Sequence, residues 1–374
     1  MVYRKEIDGL RTLAVIPIIL LHGGFDWLSG GYVGVDIFFV ISGYLITSII
    51  LKEKEAGIFT IAGFYERRVR RILPALFFVL LATLPFAWLW LLPHELINFG
   101  ESLIAVPIFS SNFLFLQESG YFAEDAELIP LLHTWSLAVE EQFYIFFPLI
   151  MIVFWSLGKR WLLAIISLIA LLSLGLTEWG WREFPDANFY LIPTRAWELM
   201  AGVLVAFYLY YKRQPSGIIC QPASFLGLAL IIYAIIFLDK SVPFPSLYAL
   251  IPVLGSVLII LFTVPNSLVY KLLSLRLMVG IGLISYSAYL WHLPLFAFAR
   301  IYNIDELAPW LIGLLSIVTL LLAYFSWRFV ERPFRNKQRF TRKQIFVMGF
   351  VGSLVFIAIG AGLIASDGAM FRYA

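Results

Sequence analysis

The chain has 374 residues, of which 61% are hydrophobic and 14% charged, with 34 phenylalanines. Soluble domains carry about 25% charged residues, so this composition excludes an ordinary soluble core and describes a polytopic membrane protein. A formal net charge of +3 is too small to indicate nucleic acid, no basic groove interleaved with aromatics is visible, and the single cysteine, Cys220, excludes an intramolecular disulfide. Neither a CxxC motif nor a Cys/His metal constellation is present, so no metal is expected.

Apolar segments of spanning length run near residues 10–28, 33–51, 72–93, 134–157, 161–178, 189–211, 219–238, 246–264, 277–299 and 309–330, with one more near 345–366. The expected fold is all-α, with about ten transmembrane helices plus an eleventh C-terminal helix. Basic residues precede the first apolar run, but no small-residue cleavage site follows it, so the first helix is read as uncleaved. Arg4 and Lys5, Lys52 and Lys54, the arginines at 67–71, Lys159 and Arg160, Lys212 and Arg213, Lys271 with Arg276 and the basic run 332–343 mark successive loops. Setting all of them in the cytoplasm satisfies the positive-inside rule. The N-terminus is then cytoplasmic. The loop 117–133, with Glu118, Glu124, Asp125 and Glu127, lies outside, as does the tail Asp367–Ala374. The stretch 95–116 joins two outer points and cannot cross once. It carries Asn98, Glu101, Pro107, Ser110, Ser111 and Asn112, and is expected to be re-entrant or to lie at the outer surface.

Ionisable residues inside such helices are costly, so they face a cavity and do work, or are paired. Arg11 and His22 stand eleven residues apart in the first apolar run. Eleven helical residues turn about 1100°, so the two share one face about 16 Å apart along the axis. Arg11 can snorkel to the helix end, whereas His22 is too deep and too short. With the first helix ending near residue 28, His22 lies about 6–9 Å below the outer end. Glu140 lies about 8 Å below the same surface, and Asp36, Arg195, Glu198 and His292 fall at a similar level, giving one polar layer in the outer half. Arg195 and Glu198 are spaced i, i+3 and read as a structural ion pair. His292 shares a face with Ser285 and Tyr289. Glu140 and Glu141 point about 100° apart, so one of them faces a cavity, and Glu140 is taken as that one. On the inner side, Arg67, Arg68, Arg70 and Arg71 fix topology and also suit phosphate, since paired guanidinium donors match its oxygens. Arg67 with Arg70, or Arg68 with Arg71, are i, i+3 neighbours.

These residues also carry a resemblance. The Arg11–His22 spacing is followed by Gly34-Val35-Asp36, Phe38-Phe39 and Ser42-Gly43. Then come Arg67-Arg68-Val69-Arg70-Arg71, Trp135-Ser136-Leu137 with Glu140-Glu141-Gln142-Phe143-Tyr144, Ser285-Tyr286 with Trp291-His292, and Glu331-Arg332-Pro333. In this order they resemble the acyltransferase family 3 membrane proteins of the O-antigen acetylase type, over about the first 335 residues. The resemblance implies a transmembrane acyltransferase domain at 1–335, followed at 336–374 by a basic cytoplasmic linker, an extra helix and a short outer tail. Many relatives with an extra helix there carry an outer SGNH-type domain, which is expected to be missing from these 374 residues. It further implies a bacterial inner-membrane enzyme that moves an acyl group, commonly acetyl, from cytoplasmic acetyl-CoA to a hydroxyl of an outer carbohydrate such as O-antigen.

In that chemistry His22 serves as general base or acyl carrier, and Glu140 as the carboxylate that holds its imidazole. Arg11 and the 67–71 arginines hold the donor. Asp36, Ser42, Gly43, Tyr289 and His292 support substrate or transition state, with the Ser42-Gly43 backbone or Tyr289 as oxyanion donors. Intramembrane His, Glu and Arg also suit a proton-coupled transporter, although no inverted repeat is visible. A non-catalytic anchor for an outer domain is a third reading.

Overall fold

The computed structural model describes residues 3–119, 126–212, 214–239, 241–303 and 307–373, and these are helical with no strand among them. Glu124, Asp125, Arg213 and Ala374, which enter the topology expected above, lie outside the described residues. Among the described residues, eight helices are long and apolar enough to cross a membrane: Gly31–Glu55, Ile61–Trp90, Thr134–Val153, Lys159–Glu183, Cys220–Phe237, Arg276–Tyr302, Pro309–Arg335 and Arg342–Ala365. The other expected spans coincide with the more polar helices Lys5–Gly23 and Ile192–Tyr211 and with the shorter Leu247–Phe262. The protein is a multi-pass, all-helical membrane protein.

Local chemistry sets the helix ends. Thr60 caps the Ile61–Trp90 helix by accepting the Gly63 N–H at 3.1 Å. Thr341 and Gln344 form a capping box ahead of Arg342–Ala365. The first helix stops at Gly23 because Gly24 adopts φ +95°, a left-handed cap open to glycine. Its end therefore falls five residues earlier than the apolar run at 10–28 suggests, since Phe25, Trp27 and Leu28 belong to a loop with 3-10 turns.

The chain forms two compact units that do not follow sequence order. One comprises Met1–Phe59 with Val139–Ser285, the other Thr60–Ala138 with Tyr286–Ala374. In the first unit, Gly34–Glu55 and Ile192–Tyr211 cross in close contact. A Cβ on Gly43 would stand 1.9 Å from the Leu199 carbonyl oxygen, and one on Gly202 would stand 2.0 Å from that of Val40. Small residues let membrane helices pack backbone to backbone in this way.

In the second unit, Arg342–Ala365 packs along Pro93–Ala105, where a Cβ on Gly360 would lie 2.3 Å from the Gly100 oxygen. The helix beyond residue 335 is thus part of the second unit. The stretch expected to be re-entrant or superficial is a broken helix. Pro93–Ala105 (13 residues) and Ser111–Glu118 (8 residues) are separated by a 3-10 turn containing Pro107 and by Phe109 at φ +56°. Neither piece is long enough to span a bilayer alone.

Candidate active site

Arg11 and His22 lie on the helix Lys5–Gly23, so their eleven-residue spacing puts them on one face. His22 is half-buried in the last turn. Its Nδ1 is 3.0 Å from the Ile18 carbonyl oxygen. A carbonyl only accepts, so in the neutral ring Nδ1 carries the hydrogen and Nε2 carries the lone pair. Arg11 pairs with Asp8, Nη1 to Oδ1 at 3.6 Å, and Asp8 also accepts from Tyr3 at 2.6 Å.

Glu140 is joined to the second helix. Ser42 Oγ and the Tyr144 hydroxyl both donate to its Oε1. Glu141 beside it is 5% exposed. The register between the first two helices gives the level of this cluster. Gly31 abuts Pro17 and Leu21, and Gly34 abuts Ala14 and Ile18. At the other end, Arg4 Nη1 donates to Tyr44 at 3.0 Å. The helices are antiparallel, and His22 is level with Gly30 and Gly31. Ser42 follows eleven residues later, about 16 Å away along the axis.

The single polar layer expected from sequence is therefore drawn out along the bundle, and the Glu140 carboxylate does not reach the imidazole; Ile18 orients it instead. The cause is the early end of the first helix at Gly23. Gly43 likewise changes role. Its N–H lies inside the Gly34–Glu55 helix, committed to an intrahelical bond, and its missing side chain is filled by the Leu199 backbone. It is a packing residue, and the Ser42-Gly43 backbone offers no oxyanion donor.

Between these levels lies a buried charge cluster. Arg195 contacts Asp36 (Nη2 to Oδ1, 3.2 Å) and Glu198 (Nε to Oε1, 3.3 Å), and all three side chains are at most 1% exposed. The expected Arg195–Glu198 pair is thus a trio, completed by Asp36 from another helix.

In the second unit the four arginines separate by helix face. Arg70 donates Nε to Glu66 (3.0 Å), Nη1 to the Phe334 carbonyl (3.0 Å) and Nη2 to that of Phe340 (2.6 Å), and is 2% exposed. Glu66 is held from its other side by Arg342 at 2.7 Å. Arg70 spends its donors inside the protein, and the expected ligand role does not suit it. Arg68 is also buried, its guanidinium 5.9 Å from the Phe64 ring centroid. Arg67 and Arg71 are half-exposed, and their i, i+4 spacing puts them on one face. The accessible pair is therefore 67 and 71, not either i, i+3 pair.

His292 is fully buried, with Nδ1 2.6 Å from the Tyr289 carbonyl oxygen. Its ring meets that of His133 edge to face at 5.2 Å. The Tyr289 hydroxyl donates to the His133 carbonyl at 2.7 Å and lies 2.7 Å from Ser136 Oγ, so its hydrogen is already used. Sequence reasoning passed over His133 and quoted Tyr144 in a motif without giving it a role. Tyr144 had a signal, the i, i+4 spacing from Glu140; His133, just before a span, had none.

Comparison with known proteins gives the family. Residues 4–328 match acyltransferase family 3, described as an acyltransferase domain. A Staphylococcus aureus (strain MSSA476) protein provisionally named an O-acetyltransferase is 35% identical over 349 residues, 90% of this chain and 58% of its own. YrhL of Bacillus subtilis (strain 168), provisionally named a peptidoglycan O-acetyltransferase, is 34% identical over 354 residues, 90% of this chain and 55% of its own. The O-acetyltransferase OatA of Staphylococcus aureus (strain NCTC 8325 / PS 47) is 33% identical over 350 residues, 90% and 58% respectively. The chain thus spans under three-fifths of the length of these relatives. No solved structure matches.

Proposed function

The chain belongs to acyltransferase family 3, and from that premise we propose that it transfers an acetyl group from acetyl-CoA to a hydroxyl of a cell-envelope glycan, with His22 as the general base. The observation that carries this reading is the imidazole geometry: Nδ1–H is held by Ile18, so the lone pair of the neutral ring is on Nε2. The hydroxyl gives its proton to Nε2 as its oxygen attacks the thioester carbonyl. The acyl carbon–oxygen bond forms, the carbon–sulfur bond breaks, and coenzyme A leaves.

The donor's phosphates suit the half-exposed Arg67 and Arg71. Arg11, on the His22 face and about 16 Å from it along the helix, is the cation nearest the reacting end on that face. Glu140, held by Ser42 and Tyr144, adds a polar cluster about 16 Å from the His22 level along the axis. The positive-inside assignment puts the arginines in the cytoplasm and the His22 end outside, in a bacterial inner membrane. The acceptor favoured is peptidoglycan over O-antigen, because a relative covering 90% of the chain is named for it.

The test is purified protein with acetyl-labelled acetyl-CoA and muropeptide or lipopolysaccharide oligosaccharides. Label in an alkali-labile ester on the saccharide is the expected result. Binding of acetyl-CoA without ester on any saccharide would overturn the reading.

A further inference from the structure

Asp36, Arg195 and Glu198 form a charge imbalance sealed inside the first unit. One guanidinium faces two carboxylates, and no other cation acts on either carboxylate among the described residues. The surroundings are apolar or uncharged. The rings of Phe39 and Phe244 lie 5.6 and 5.7 Å from the guanidinium. The adjoining helix Leu250–Phe262 has no ionisable side chain. The helix Lys159–Glu183 meets the start of Ile192–Tyr211 through Ser173 and Thr177. The first helix meets Gly34 through Ala14 and Ile18. Tyr32 is the other titratable side chain acting on Asp36.

Asp36 Oδ2 and both Glu198 oxygens are buried and have no hydrogen-bond partner among the described residues, and both carboxyl groups lie against one guanidinium, Asp36 at 3.2 Å and Glu198 at 3.3 Å. Burying a surplus negative charge is costly. One proton shared between the two carboxyls removes that surplus, as in other carboxylate pairs that share a site.

We infer that Asp36 and Glu198 hold one exchangeable proton between them against Arg195, and that this proton is exchanged during acyl transfer. The second half rests on the acyl-transfer reading. That reaction moves one proton from the acceptor hydroxyl to the departing sulfur: His22 Nε2 takes it as the carbon–oxygen bond forms, and the thiolate gains one as the carbon–sulfur bond breaks. Asp36 lies five residues beyond Gly31, about 8 Å inward of the His22 level, and six residues short of Ser42, about 9 Å outward of the Glu140 cluster. The carboxyl pair thus stands between the end where the proton is taken up and the deeper polar cluster. It takes a proton from His22 and returns one to the thiolate, which leaves from the same carbon, so the site's charge is the same after each turnover.

Infrared spectroscopy of the purified protein at neutral pH tests the first half without any acyl transfer. The carbonyl stretch of a protonated carboxylic acid should be present, move in D2O and vanish in both Glu198→Gln and Asp36→Asn. Its absence from the wild type, or its persistence in both variants, would overturn the proton site. Using two variants covers the failure of either to insert. For the second half, Glu198→Gln keeps a hydrogen bond to Asp36 but cannot release a proton. Acetyl transfer should fall about tenfold or more, its pH profile should flatten, and acetyl-CoA binding should persist. A wild-type rate and pH profile in a Glu198→Gln protein that has lost the band would overturn the exchange. If the wild type shows the band but makes no ester, the acyl-transfer reading falls and the proton site stands.

Discussion

Replacing His22 with alanine should lower acetyl transfer by about 10²–10⁴-fold, the usual worth of a general base, while the protein still inserts and binds acetyl-CoA. The separation of effects follows from position. His22 sits in the last turn of the first helix, with Nδ1 on Ile18, and the arginines that suit the donor lie on another helix. His22→Gln keeps an amide of similar size that can still donate to Ile18, but it has no site that takes up a proton near neutral pH, so it should fail almost as badly. Initial rates and acetyl-CoA binding, measured on the same preparations, check both variants. Wild-type turnover in His22→Ala would remove the imidazole from the mechanism.

Arg70→Ala should destabilise the protein by about 3–5 kcal/mol, the cost of breaking a buried ion pair by removing one partner. Glu66 would lose one of its two arginines, and the Phe334 and Phe340 carbonyls would lose their donor. Arg70→Lys keeps the charge without the fork, so recovery should be partial. The double variant Arg67→Ala, Arg71→Ala should do the opposite: melt as the wild type does, and bind acetyl-CoA more weakly. Thermal unfolding in detergent and equilibrium binding separate the two. A loss of binding from Arg70→Lys with no loss of stability would return Arg70 to the ligand.

The spans, the helical class and the shared face of Arg11 and His22 were legible because they depend on local composition and on a fixed helical pitch. The depth of His22 was not. Phe25, Trp27 and Leu28 are as apolar as a helix interior, and the stop at Gly23 depends on the left-handed cap at Gly24. Its signal, the Gly23-Gly24 pair, was in plain view and outweighed by hydropathy. Four arginines within five residues look alike in sequence. Only the helix face separates Arg70, bonded to Glu66 one turn back, from Arg67 and Arg71. Asp36 and Arg195 are 159 residues apart, and no periodicity predicts that pairing. Gly43 read as part of a motif, whereas its backbone contact with Leu199 shows a packing role.

Transfer across the membrane is the central claim, and sided proteoliposomes test it most directly. The arginine-bearing, positive-inside face should be set toward the compartment that holds acetyl-labelled acetyl-CoA, with muropeptide acceptor confined to the other compartment. The account predicts alkali-labile ester on the acceptor, abolished by His22→Gln, with free coenzyme A accumulating on the donor side. Ester formed only when donor and acceptor share one compartment would contradict it.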